Sequence, residues 1–152
     1  IGHIHVRDEE KEHCNCGGMG CLEQVASATG IAREARRTMA SCDTPSLLRE
    51  YGDRVTAKNV LDAAKAGDAL ADQVVEVVCR YLGLALAQAS MMMDPEIFVI
   101  GGGVSKAGQY LIDRIYGHYD YFTPISKNKA KIGLATLGND AGIYGAARLI
   151  LE

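Results

Sequence analysis

The chain has 152 residues, 48% of them hydrophobic and 23% charged, and a formal net charge of −3. That balance is expected of one folded, soluble domain with a single core, and it excludes a disordered segment. It also excludes a nucleic-acid surface, which needs a sustained basic face; Arg33, Arg36 and Arg37, the one tight basic cluster, read as a solvated helical turn.

Along the chain, residues 1–6 alternate like the end of a strand, and residues 7–13 form a charged loop. Cys14, Cys16 and Cys21 follow, with Gly17, Gly18 and Gly20 among them. Helical spacing begins at Leu22, and residues 26–40, rich in Ala and Arg, predict a helix. Asp43-Thr44-Pro45 predicts another start, with Thr44 as N-cap, Pro45 in the first turn and Gly52 as the stop. Thr56 caps a short helix ending near Gly67. Asp68 caps a long one with Leu70, Val74, Val77, Val78, Tyr81 and Leu82 on one stripe, broken at Asp94-Pro95. The apolar run 81–93 is too short for a bilayer and holds Gln88 and Ser90, so no membrane span is expected.

Residues 97–100 read as a strand of the kind buried in a parallel sheet. After Gly101, Gly102 and Gly103, Ser105 predicts an N-cap for a helix through Ile115. Residues 130–137 predict a second strand, and Asn139 or Asp140 opens a last helix to Leu151. Helices followed by β-α-β-α make an α/β architecture with helical insertions. The opening Ile1-Gly2-His3 has no Met and no charged lead-in. The expectation is a piece of a longer chain without a signal peptide.

Cys14, Cys16 and Cys21 stand at metal-ligand spacing on a glycine-rich loop. A tetrahedral zinc ion needs four nitrogen or sulfur ligands, so one more donor is required. His3 and His5 lie far enough back to return to the loop, whereas His13 adjoins Cys14 and is poorly placed for the same ion. A redox pair calls for C-x-x-C, which this run lacks, and an iron–sulfur cluster calls for a fourth nearby cysteine. Cys42 and Cys79 read as ordinary buried cysteines. Unpaired thiols of this kind predict a reducing, cytoplasmic setting.

Gly2-His3, Cys14-Asn15-Cys16-Gly17 and Gly20-Cys21-Leu22-Glu23 together closely resemble the signature of the ROK family of sugar kinases and repressors. The resemblance implies that His3 completes the zinc site with Cys14, Cys16 and Cys21, and that His3 and Glu23 face the sugar. A metal-bound imidazole has its second ring nitrogen fixed in direction, able to bond a hydroxyl. Read without the family, Glu23 is a first-turn glutamate favoured by the helix dipole. The family's upstream acidic residue, two before Gly-His, would precede Ile1. His5 and His13 read as surface histidines.

Glycines between a strand and a helix let a ligand approach the backbone, and the helix start offers N–H groups to an anion. A dinucleotide fingerprint fits poorly, since Lys106 stands where a third glycine belongs, and no Gly-Lys-Ser/Thr ending marks a P-loop. ROK kinases have a similar glycine turn lining the adenosine pocket of an actin-like ATPase (ribonuclease H-like) fold. The resemblance thus assigns Gly101, Gly102, Gly103, Val104 and Ser105 to nucleotide binding. Residues 137–147 are similar to the family's C-terminal stretch, and Ala141, Gly142, Gly145 and Ala146 read as close-packing positions.

The resemblance implies the C-terminal domain of an ATP-dependent hexose kinase over residues 1–152, with the zinc segment at 1–23, ATP and Mg²⁺ serving the whole protein, and a homo-oligomer, commonly a dimer. The family's Asp-x-Gly-Gly-Thr and Asn-x-Asp patterns do not occur in these residues. The catalytic aspartate is therefore expected upstream and the chain alone is expected to be inactive. The alternative is the sugar-sensing domain of a ROK transcriptional repressor.

Overall fold

The structure, a computed structural model, describes residues 1–137 and 140–151. Gly138 and the candidate cap Asn139 lie outside the described residues. The helical half comprises α1 (Glu23–Ala26), α2 (Ala28–Ser41), α3 (Ala57–Lys65) and α4 (Ala69–Met93). The α/β half follows with β1 (Ile97–Ile100), α5 (Gln109–Phe122), β2 (Lys131–Leu134) and α6 (Ala141–Leu151).

Local sequence explains the helix starts. The Ser27 hydroxyl accepts from the backbone N–H of Gly30 to open α2. Thr56 opens α3 with a reciprocal capping box to Asn59, and the Asp68 carboxylate accepts from Ala71 N–H to open α4. Asp94 ends α4 in the left-handed region at φ 44°.

Three expected elements differ. Residues 1–6 form no strand; His5 makes an isolated antiparallel bridge with Cys21. Thr44 and Pro45 precede a short 3-10 turn, Leu47–Glu50, whose cap is Ser46, because Asp68 receives both Ser46 Oγ and Leu47 N. Ser105 sits inside the 3-10 turn Gly103–Ala107, donating to Gly102 O at 2.7 Å; α5 starts only after Gly108, at φ 72°, and runs past Ile115 to Phe122.

The core lies between α4 and its neighbours α2, α3 and α5. Leu70, Val74, Val75 and Val78 of α4 are buried against Leu111, Ile115 and Tyr119 of α5. Each large apolar side chain so enclosed contributes about 1.5–3 kcal/mol. Gly83 lets the two helices close: a Cβ there would stand 2.5 Å from His118 Cβ and 2.8 Å from Tyr119 N. Tyr119 is fully buried; its hydroxyl accepts from Ala130 N at 3.1 Å and meets Ser90 Oγ at 2.7 Å, tying α4, α5 and the start of β2 together.

With 25 residues and a mean hydropathy of 1.3 over its most apolar window, α4 is long and apolar enough to cross a membrane. The expectation from residues 81–93 alone understated the helix. Half of that window is buried inside the fold, and Asp72 and Glu76 pair with Arg114 of α5, as a core helix requires.

β1 and β2 pair in parallel, Ile97 opposite Lys131 through Ile100 opposite Leu134, with α5 as the crossover. Phe98 is buried, but Ile97 and Val99 are exposed, so the strand expected to be covered on both faces is covered on one. Among the described residues, Ile97 and Val99 mark the less covered face, while most of β2 is half-buried.

Candidate metal centre and adjoining cleft

Residues 2–24 fold as a lariat closed by backbone bonds. Leu22 N donates to Ile4 O, Glu23 N to Gly2 O, and Val6 N to Gly20 O, at 2.8–2.9 Å. Gly20 is required where it stands: its φ is +72°, and a Cβ would lie 2.1 Å from Arg7 O. At the tip, Cys14 N donates to Gly18 O and Gly17 N to Cys14 O.

This folding brings His3, Cys14, Cys16 and Cys21 together, one donor atom from each lying within 4.8 Å of the others. Cys14 Sγ is 3.7 Å from His3 Nδ1, and Cys16 Sγ is 3.5 Å from Cys21 Sγ. A tetrahedral ion with arms of about 2.3 Å to sulfur and about 2.0–2.1 Å to nitrogen needs donor separations of about 3.5–3.8 Å. The donor set and these two separations fit such an ion, and the remaining donor pairs lie within 4.8 Å. All five cysteines are free thiols, Cys79 buried and Cys42 half-buried rather than fully enclosed. Burial pushes the Cys21 thiol up to about 12, and the Gly18 backbone lowers that of Cys16.

The choice between His3 and His5 follows from their partners. His5 spends both ring nitrogens, Nδ1 on Met19 O at 2.8 Å and Nε2 on Asp8 Oδ1 at 2.7 Å. Its pKa is raised above 6.5, first by Asp8. His13 turns Nδ1 to Gly17 O at 3.2 Å. His3 turns Nδ1 to the sulfurs and leaves Nε2 3.8 Å from Glu23 Oε2. The Glu23 side chain is 41% exposed and that of His3 55%, so both remain accessible.

Sequence reasoning missed what fastens this lariat. Arg7 is buried, donates twice to Glu34 of α2 at 2.8 and 3.2 Å, and lies 4.7 Å over the ring of Tyr81. The Glu10 carboxylate, 1% exposed, accepts from Arg33 at 2.7 Å and from Arg37 at 2.8 and 2.9 Å. The Arg37 guanidinium holds that carboxyl down at about 2. Glu12 takes the outer sides of the same two arginines. The arginine cluster expected to be a solvated turn is therefore largely paired; only the alternation of acidic residues 9, 10 and 12 with a basic helix hinted at it.

Two depressions adjoin the centre. A polar one of about 220 Å³ includes Glu23, Asn15 and Arg36. A larger, apolar one of about 520 Å³ runs from Gly2 and Leu22 past Leu86 to Gly101, Gly102, Gly103 and Val104. Gly102 has φ +76°, and the turn around it is open. Ser105, the last residue assigned to that turn, is not among the residues lining this cleft.

The ROK family model matches residues 1–152. The chain belongs to the ROK family. It is 46% identical over 155 aligned residues to a glucokinase of Halalkalibacterium halodurans, covering all of this chain and 47% of that protein. A ROK glucokinase from Streptomyces griseus, solved in complex with glucose and AMPPNP, superposes with a TM-score of 0.83 at 32% identity, over 97% of this chain and 49% of that one. An N-acetylglucosamine repressor of Escherichia coli O157:H7 is 36% identical over 121 residues, 76% of this chain and 27% of the repressor. The chain thus spans about half the length of the glucokinases it matches, and its mixed α/β architecture is that of the ROK sugar kinases, an actin-like ATPase fold.

Proposed function

We propose that residues 1–152 form the C-terminal domain of an ATP-dependent hexose kinase that transfers the γ-phosphoryl of ATP to a sugar hydroxyl. The observation that carries this reading is the arrangement of His3 and Glu23. Their polar atoms face one another at 3.8 Å beside the metal-ligand cluster; Glu23 lines the polar depression, and the chain neighbours Gly2 and Leu22 line the apolar cleft that reaches the glycine turn. On this reading Zn²⁺ is held by His3, Cys14, Cys16 and Cys21 and supplies rigidity. His3 Nε2 and the Glu23 carboxylate bond vicinal hydroxyls of the sugar and orient it. Gly101, Gly102, Gly103 and Val104 form a wall for adenosine, where absent side chains let the nucleotide approach, and Ser105 braces that turn through Gly102 O. The base that deprotonates the hydroxyl and the groups that hold Mg²⁺ and the phosphates belong to the rest of the protein. Five free thiols, three at metal spacing, support a cytoplasmic setting.

The repressor relative supports a second reading, in which the same pocket senses sugar for a DNA-binding head. The longer coverage and higher identity of the glucokinase favour the kinase.

Calorimetry on the whole protein tests the sugar site. Glu23→Gln should weaken glucose or N-acetylglucosamine binding by roughly ten- to a hundredfold, because charge-assisted bonds become neutral ones. Zinc content and ATP affinity should stay as in the wild type. Unchanged sugar affinity would reduce Glu23 to a helix-start residue. Sugar binding without phosphorylation, together with operator binding, would favour the repressor.

A further inference from the structure

The four ligands come from three stretches of chain, at His3, at Cys14 and Cys16, and at Cys21. Three independent stretches would each lose conformational freedom when an ion gathered them, and that loss would subtract from affinity. One side chain that is not a ligand joins two of them. Gln24 is 8% exposed; its Oε1 accepts from Cys21 N at 3.1 Å, and its Nε2 donates to Glu12 O at 2.9 Å. Glu12 stands two residues before Cys14, so the amide couples the backbone of one thiolate to the segment that delivers another.

Glu12 is itself fixed. Its backbone N–H donates to the Glu10 carboxylate at 3.1 Å, and its own carboxylate receives Arg33 and Arg37. Arg33 closes the circuit by donating to both Glu10 Oε2 and Gln24 O, at 2.7 and 2.9 Å. Gln24 needs both ends of its amide for this. A carboxylate in its place would keep the acceptor for Cys21 but oppose the Glu12 carbonyl, and an apolar side chain would lose both bonds.

We infer that Gln24, seated on the Glu10–Arg33–Arg37 cluster, is a positioning residue for the metal centre: it holds the Cys21 and Cys14 segments in ligating geometry before the ion arrives. The inference rests on the zinc reading above. Groups that orient metal ligands typically change affinity by about 10–100-fold when removed, and that is the effect expected here.

The test is a zinc competition titration against a chromophoric chelator on the purified protein and on Gln24→Met, which keeps length and bulk. The variant should bind zinc about 10–100-fold more weakly, and the visible absorption of the Co²⁺-loaded form should change in intensity as the ligands lose their fixed arrangement. A merely structural role would lower the melting point of the metal-free protein yet leave zinc affinity and the Co²⁺ spectrum as in the wild type. Zinc affinity within about twofold of wild type overturns the inference. If Gln24→Met does not fold, Gln24→Glu and Arg37→Lys are titrated instead, and unchanged affinity in both overturns it equally. A wild-type protein that captures no zinc overturns the zinc reading as well, whereas zinc capture with unchanged variants overturns this inference alone.

Discussion

The metal-loop region, residues 1–24, and the C-terminal end, from β1 to α6, are opposites in how they are held. The first has almost no regular secondary structure, yet its carboxylates, guanidiniums and backbone amides are bound to one another and to α2. The second is built of helices and strands, yet Ile97, Val99, Ile143, Tyr144, Leu149 and Ile150 all face solvent. Regular backbone is therefore a poor guide to which part is complete. The loop is closed by partners within this chain. Exposed apolar side chains of this kind on β1 and α6 commonly mark surfaces that another element or partner covers.

The contrast predicts a graded response to mutation. The largest effect should come from the ligands. Cys16→Ser, or zinc removal by a strong chelator, should cost about 4–5 kcal/mol or more, since metal loss is among the few mechanisms reaching that range. Elemental analysis of wild type purified without added metal should give about one zinc per chain. Unchanged melting in the metal-free protein would break the comparison at its root.

Glu10→Gln should come next, at about 1.5–3 kcal/mol, because it leaves the half-buried guanidiniums of Arg33 and Arg37 facing a neutral amide in place of a carboxylate. Glu10 also gives a pH signature. Its folded pKa, about 2, lies below its ordinary 4.5, so the stability it adds is complete above pH 4.5 and is lost as pH falls towards 2. Acid denaturation followed by circular dichroism should show that limb in wild type and a flatter one in the variant.

The smallest effect should come from the open end. Leu149 is 80% exposed, and Leu149→Ser should change the melting free energy of this chain by less than about 0.5 kcal/mol. A loss comparable to that of Glu10→Gln would mean that α6 is held as firmly as the loop, and the comparison would fail.

How much of this was legible in the sequence depended on the reach of each interaction. Thr56 and Asp68 were readable as caps because their bonds run three residues forward. The gathering of Cys14, Cys16 and Cys21 was readable because all three stand within eight residues on one glycine-rich loop. Thr44 and Pro45 misled because the competing cap, Ser46, is fixed by Asp68 from 22 positions away. Ser105 misled because it looks like a cap but bonds within its own turn. Arg33 and Arg37 looked solvated because their partners lie 21–27 residues earlier, and nothing local distinguishes a paired arginine from a free one. The role of Tyr119 was invisible for the same reason, with Ser90 29 positions before it.

The ring of Tyr81 links the metal loop to α4, with Arg7 stacked on its face and Glu9 accepting its hydroxyl from 72 positions away. During synthesis the cysteines leave the ribosome long before that ring exists, and closing so long a loop is slow. The loop can take its final shape only after α2 and α4 have formed. Within residues 1–152, order of synthesis and order of assembly are thus reversed: the loop is made before α4 yet settles after it, on a body already built.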